Sequence, residues 1–411
     1  MLERIRPTQG LVNEVLDSLP AHIWQSSTTR FFDPAIGGGQ FVSAIERRLR
    51  AHGHSDHNIS TRVSGLEENE FLVDLARNMH QLVGNYTKCT YRDYFDSYAQ
   101  THDVIVCNPK IDNENVKLEG GKRNTGNKYW YQFVFASERL VTPGGYLAMV
   151  TPTQWLTGGV QLRRGSKGII KDVFAKHQLV HARIGGVSEQ YGFKSIQVGW
   201  WLMHAVSTHA ATTLDLGADT MRVDFRTTPF LSPRATAHSN SIVAKTLLGL
   251  GPRVSSYYFN SNTPKGTETE QPTPANKYAH WIMGSSRTNN LTIRWFERVI
   301  NPRVCYTKIV FPMSTRYWQP ELLGADVSVA ALGQCIRVAD NTTQAGFESV
   351  YYSELFTYLC RCLQIDVNGF MKSVYIKHLP LLDMSTTWTN DELYTHFGIT
   401  SEEQQYIKAS I

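Results

Sequence analysis

The chain has 411 residues, 42% of them apolar and 19% charged, with a formal net charge of +5. That length admits two domains, each with its own core, and no apolar run approaches a membrane-spanning length. The amino-terminal MLERIRPTQG lacks the apolar stretch of a secretory signal, and the mild positive charge permits a nucleic-acid partner without requiring one.

Along the chain, LVNEVLDSL (11–19) carries apolar residues at helical spacing. TRFFDPAIGGGQF then reads as a strand, a tight glycine turn and the start of a helix that continues through FVSAIERRLRAHG. RVSGLEENEFLVDLARNM repeats the theme: a short strand to Leu66, an acidic end, an amphipathic helix. TKCTYRDYF and HDVIVCNP are further strand candidates, and a polar stretch, DNENVKLEGGKRNTGNK, follows. YWYQFVFASERLV looks helical, PGG breaks it, and YLAMVTP is another buried strand. HQLVHARIGG and SIQVGWWLMHAV add two strands around a helix at 160–176. Strands alternating with amphipathic helices predict an α/β fold: a parallel, doubly wound sheet covered on both faces. After about residue 228 this pattern dissolves, and 229–290 are rich in Ser, Thr, Asn and Pro. Short strands such as RVCYTKIVF, aromatics and a helical tail then suggest a second, irregular α+β domain.

Cysteines stand at 89, 107, 305, 335, 360 and 362, and the single Cys-x-Cys pair is not a zinc pattern. Reduced, mostly buried thiols in a cytoplasmic protein are the expectation.

Three acidic positions follow the first strands. Asp33 opens DPAIGGGQF, where Gly37, Gly38 and Gly39 let backbone approach a ligand at the carboxyl edge of the sheet. Glu67 ends the next strand, where a carboxylate can accept both hydroxyls of a ribose, or Glu67 or Glu68 can cap the following helix. Asp93, in YRDYF, is placed to accept from an exocyclic amine. Asn108-Pro109 end the fourth strand in a rigid polar corner.

Together these residues resemble the cofactor half of an S-adenosylmethionine-dependent methyltransferase. More narrowly, they resemble the amino-methyltransferases of DNA in the gamma order: cofactor motif, catalytic motif, target recognition. That family's Asp-Pro-Ala-x-Gly-x-Gly-x-Phe falls on Asp33-Pro34-Ala35-Ile36-Gly37-Gly38-Gly39-Gln40-Phe41. Its catalytic Asn-Pro-Pro-aromatic falls on Asn108-Pro109-Lys110-Ile111, so a lysine and an isoleucine stand where it has proline and an aromatic. Tyr131 to Pro152 follows the family's next helix, Pro-Gly-Gly turn and strand. RPTQGLVNEVLDSLP resembles its cofactor-flanking helix, with Pro7-Thr8 in inverted order, and the tail from LPLLDM resembles restriction-modification methylases of bacteria and phage.

The resemblance implies a Rossmann-like methyltransferase domain over 1–228 and a DNA target-recognition domain over 229–411. It implies S-adenosyl-L-methionine as cofactor, held by Asp33, Pro34, Ala35, Gly37, Gly39, Phe41, Glu67, Asp93 and Thr8. Asn108, Pro109, Lys110 and Ile111 would form the catalytic corner. The activity implied is methyl transfer to the N6 amine of an adenine flipped out of double-stranded DNA. Lys122, Arg123, Lys128, Tyr129, Trp130, Arg163, Arg164, Arg287 and Arg316 are the DNA-contact candidates, with Arg294, Arg303 and Lys308 beside them in the second domain. The expected setting is a bacterial or phage-infected cytoplasm, with a partner subunit or a homodimer as further associations and no membrane. The competing reading is a catalytically silent relative that binds DNA or cofactor, because Ile111 has no π face for the flipped base and Lys110 puts a cation at the corner.

Overall fold

The first helix of the chain, α1 (Gln9–Asp17), begins at Thr8, whose hydroxyl accepts from the Leu11 amide. Its apolar residues Leu11, Val12, Val15 and Leu16 form one buried stripe, and that stripe docks the helix on a sheet. The computed structural model describes residues 7–90, 93–94, 102–109, 129–157, 168–193, 197–207, 210–232, 235–249, 257–260, 268–283, 291–297, 304–312, 320–329, 333–363 and 373–411. It divides into two units, Met1–Phe230 and Leu231–Ile411.

In the first unit, β1 (Phe31–Asp33), β2 (Val63–Glu67), β3 (Asn85–Lys88), β4 (His102–Cys107) and β5 (Val141–Pro152) are parallel and lie in the order β3-β2-β1-β4-β5. Helix α2 (His22–Gln25) precedes β1, and the helices between the strands are α3 (Gln40–Ala51), α4 (Asp56–Arg62), α5 (Glu70–His80) and α6 (Tyr129–Leu140). Beyond β5 the sheet departs from the all-parallel expectation. β7 (Val198–His204) runs antiparallel between β5 and β6 (Gln178–Arg183), and β8 (Thr212–Asp215) and β9 (Thr220–Val223) extend the edge. The chain returns from β6 to β7 at the same end of the sheet, through the short helix α7 (Val187–Tyr191), so no crossover over the sheet is needed. The arrangement is a Rossmann-like doubly wound sheet with β7 reversed inside it.

Both faces of the central strands β1, β4 and β7 and of the second half of β5 are buried, which explains their apolar runs. Phe31, Val104, Val106, Ala148, Val150, Val198, Trp200 and Leu202 pack with α1 and α3 on one face. Strand alternation sends Phe32, Ile105, Cys107, Leu147, Met149, Trp201 and Met203, all buried, to the other. Within the span expected as a helix over 160–176, the described residues include a π-helical turn, Ile170–Phe174.

Among its described residues the second unit holds two small sheets. One joins β10 (Tyr257–Asn260), β16 (Gly333–Arg337), β13 (Lys308–Pro312) and β14 (Glu321–Leu323); the other joins β12 (Leu291–Phe296), β11 (Tyr278–Met283) and β15 (Val327–Val329). The longer helices described in this unit are α8 (Ala237–Val243), α9 (Gln344–Tyr351), α10 (Glu354–Cys362), α11 (Asn390–Phe397) and α12 (Ser401–Ser410). The last two start at reciprocal caps, Thr389 with Glu392 and Thr400 with Glu403. Among the described residues no helix is long and apolar enough to cross a membrane.

Candidate functional site

Parallel strands deliver their carboxyl ends to one edge, and here that edge collects the polar residues. Asp33 closes β1, Glu67 closes β2, and Asn108-Pro109 follow β4. The order β2-β1-β4 sets these ends side by side. Winding runs one way from β1 and the other way from β4, so this edge is the topological switch point of the sheet, where open α/β sheets bind their ligands.

The turn after β1 is built around two carboxylates. Asp33 is 1% exposed and accepts from the Ala35 amide at 2.9 Å. Burial pushes its carboxyl up to about 7; the Ala35 hydrogen bond opposes this and the nearby Glu67 charge adds to it. Glu67, also buried, accepts from the Gly37 amide at 3.1 Å and from the Asn69 amide at 3.2 Å. The Ile36 amide donates to the Leu66 carbonyl at 2.9 Å and the Gly39 amide to the Ile36 carbonyl at 2.7 Å. The amides of Ala35, Ile36, Gly37 and Gly39 are thus all engaged within the protein, two of them on carboxylates. A phosphate-binding glycine turn works the opposite way, holding its amides out toward an anion. This turn offers carboxylates, which suit a ligand with hydroxyls and positive charge.

The two outer glycines serve different ends. Gly37 has φ +52°, and a side chain there would meet only the Ala35 carbonyl, 3.9 Å away, so the backbone is open to a neighbour. Gly39 has φ +84°, and a Cβ would lie 2.9 Å from that of Ala76 on α5. Its role is to let the turn pack on α5, where His80 Nε2 also lies 3.1 Å from the Gly38 carbonyl oxygen. Gly65 in β2 makes room for Ile36, since a Cβ there would come within 2.4 Å of the isoleucine side chain. Phe41 and Pro34 are buried, Phe41 as part of the core beneath α3.

Asp93 lies past the end of β3, which stops at Lys88 rather than continuing through the TKCTYRDYF stretch. It is exposed, and its carboxylate accepts from the Thr90 hydroxyl at 2.7 Å. Neither Glu67 nor Glu68 caps α5; Asn69 does, accepting from the Phe71 amide at 3.0 Å. Thr8 is exposed and caps α1. Asn108 is half-buried and Pro109 buried. Beside them the Cys107 thiol is raised well above its ordinary value, by burial first and then by Asp33, so it stays protonated at neutral pH.

Lys110, Ile111, Lys122, Arg123, Lys128, Arg163, Arg164, Arg287, Arg303 and Arg316 lie outside the described residues, as does the Tyr129 side chain. Trp130, expected at the DNA, is instead fully buried and stacked on Tyr131 at 3.5 Å, with Phe133 and Val134 also buried on the same helix. Lys308 is likewise 0% exposed. Its ammonium donates to the Gly324 carbonyl at 2.7 Å and the Tyr306 carbonyl at 3.1 Å, and burial lowers its pKa, so it is a structural cation. Arg294 pairs with Glu270 at 2.6 Å. A cleft of about 560 Å³ lined by Arg139, Lys176 and His177 sits at the amino end of β5, away from the carboxylate edge, and shares none of its residues.

No protein-family model and no curated protein sequence matches the chain. Among solved structures it is similar to the EcoKI M protein of a type I restriction enzyme, at 15% identity over 51% of this chain and 47% of that one, with a TM-score of 0.38. A type I restriction-modification methyltransferase subunit from Streptococcus thermophilus gives 14% identity, 51% and 47% coverage, and a TM-score of 0.38. The type IIL restriction-modification enzyme MmeI in complex with DNA gives 10% identity, 90% and 64% coverage, and a TM-score of 0.45. The chain spans less than half the length of the two type I subunits.

One feature beside this edge has no signature in the sequence. Glu14, midway along α1, forms a hydrogen-bonded hub with residues that follow it by more than a hundred and fifty positions, Arg183, Tyr191 and Trp200. Only the fold reveals it.

Proposed function

We propose that the chain is an S-adenosylmethionine-dependent methyltransferase acting on an amino group of a base in double-stranded DNA, the N6 amine of adenine. The observation that carries this reading is the inward turning of the glycine-turn amides onto Asp33 and Glu67. That arrangement disfavours a pyrophosphate and favours a cationic nucleoside. S-adenosylmethionine is such a molecule, and it supplies an electrophilic methyl on a sulfonium.

In this reading Asp33 lends negative charge to the cationic end of the cofactor, and Glu67 takes the ribose hydroxyls. A carboxylate has about four lone-pair sites, so the bonds to Gly37 and Asn69 leave Glu67 acceptor capacity for a diol. Asp93 reaches the adenine amine and Thr8 the methionine end. Asn108 and Pro109 do the chemistry at the target. An aromatic amine is a weak nucleophile because its lone pair is delocalised into the ring. The Asn108 side-chain oxygen and the Pro109 carbonyl accept the two amine hydrogens, which favours a tetrahedral nitrogen as positive charge develops. The base must leave the duplex to reach this corner, and the unit Leu231–Ile411 supplies target recognition.

A second reading rests on Lys110 and Ile111: a relative that keeps cofactor and DNA but has lost transfer. Tritiated S-adenosylmethionine with unmethylated DNA, wild type beside Asn108→Ala, separates the two. Label entering DNA only with wild type supports the enzyme. No label with wild type, with calorimetry still detecting cofactor, supports the silent relative. No cofactor binding at all would sink both.

A further inference from the structure

Helix α1 packs against α3 and against β7, and it is jointed on both sides. Toward α3, whose amino end is the glycine turn, Arg48 donates to Asp17 at 2.6 Å and Arg47 to Gln9 at 3.1 Å. Toward the other half of the sheet the joint is Glu14. Its Oε1 accepts from Arg183 Nη1 and from Trp200 Nε1, both at 2.8 Å. Its Oε2 accepts from the same guanidinium nitrogen at 2.8 Å and from the Tyr191 hydroxyl. Arg183 ends β6, Tyr191 ends α7 and Trp200 lies in β7, so one carboxylate ties α1 to three successive elements.

The two joints differ in kind. On the α3 side Asp17 is 66% exposed, and surface pairs of that sort hold little. The Glu14–Arg183 pair is shielded, at 24% and 19% exposure, and both carboxylate oxygens are occupied. Burial tends to raise the Glu14 carboxyl, but hydrogen bonds from Tyr191, Arg183 and Trp200 outweigh it and hold the group below its ordinary value. The Tyr191 ring also lies over the first turn of α1: a Cβ on Gly10 would come 3.1 Å from it. Arg183 is held in turn by Gln190 at 2.6 Å and lies 3.6 Å from Asp215. Apolar packing alone would dock α1, since Leu11, Val12, Val15 and Leu16 are all fully buried. A saturated ionic joint adds fixed geometry, and it does so between the carboxyl end of β6, the amino end of the antiparallel β7 and the helix that starts at Thr8.

We infer that Glu14 is a positioning residue that makes ligand occupancy on the two sides of the switch point cooperative: the glycine-turn side, and the side beginning at β4. The inference rests on the methyltransferase reading for the identity of the two ligands, cofactor and DNA. A strut jointed to both halves moves as one body, so fixing either half restricts the other, and the ligand that binds second finds its side already ordered. Cutting the ionic joint leaves α1 docked by its apolar stripe but free to shift against β6 and β7.

The test measures DNA affinity of the full chain with and without saturating S-adenosylhomocysteine, for wild type, Glu14→Gln and Val12→Ala. Wild type should bind DNA about tenfold tighter with the cofactor product bound, a common size for such coupling. Glu14→Gln should bind each ligand alone but lose the enhancement. Val12→Ala, which weakens the packing of α1 without touching the joint, should lose thermal stability and keep the enhancement. Coupling retained in Glu14→Gln, lost equally in Val12→Ala, or absent from a wild type that binds both ligands, overturns the inference and leaves the methyltransferase reading standing. A wild type that does not bind S-adenosylhomocysteine brings down both.

Discussion

Asp33 is a carboxyl kept from water, and its titration has a consequence for stability. Its folded value, about 7, lies above the ordinary 3.8, so between those values the folded protein keeps a proton that the unfolded chain releases. Stability from this group is therefore fully present below about pH 4 and is lost as pH rises toward 7. Asp33→Asn keeps an oxygen for the Ala35 amide and removes the titration. In urea melts at pH 5 and pH 8, the variant should gain on wild type at the higher pH, by at most roughly 3 kcal/mol, since only the interval from pH 5 to about 7 contributes at ~1.4 kcal/mol per unit. Equal gains at both pH values would show that Asp33 is already ionised without ligand. The corner after β4 gives a second prediction at this scale. Aromatic stacking on a base is worth about 1–3 kcal/mol, so Ile111→Tyr should raise kcat/KM for DNA roughly tenfold while leaving cofactor affinity unchanged. Steady-state kinetics with each substrate varied in turn check this. Asp33, Glu67 and Asn108 were legible in the sequence because each closes an apolar strand, and strand ends in such sheets are where ligands meet polar side chains. The burial of Trp130 and Lys308 was not legible, since an aromatic or a lysine reads alike whether it faces solvent or core.

Among elements, the glycine turn shows how one motif answers two demands. Gly39 needs both its left-handed backbone and its missing Cβ, whereas Gly53, with φ +86° after α3, meets nothing within 4 Å. Gly53→Ala should therefore cost only the backbone term, about 1–2 kcal/mol. Gly39→Ala should cost more than that, because Ala76 must also move, and it should weaken cofactor binding by shifting the turn. Denaturant unfolding of the two variants side by side isolates the clash. Helix α3 carries another tertiary dependence: Glu46, fully buried, accepts from the Val83 and Gly84 amides and the Tyr86 hydroxyl, fixing the connection into β3. A glutamate in an amphipathic helix gives no hint of this in sequence, because its partners lie in a segment that only the sheet brings back. The reversed strand β7 was equally hidden, since a strand buried on both faces has the same composition in either direction.

At the scale of the whole molecule, DNA and cofactor should respond differently to salt. Neutralised phosphates release counterions, so DNA affinity should fall on the order of a hundredfold between about 50 and 200 mM salt if roughly four phosphates are contacted. The cofactor has no such atmosphere, and its affinity should hold nearly constant. Titrations of both ligands across that range decide it; a flat DNA response would remove double-stranded DNA as the partner.

The chain's own pattern of apolar runs, glycine turns and acidic strand ends determined an α/β sheet with acidic residues at its carboxyl edge, because burial periodicity and turn sterics act over short spans. Only the tertiary structure decided which way the turn's amides point, which cations face solvent, and which distant residues close on Glu14. Those outcomes depend on contacts between segments far apart in the chain, where no local preference operates.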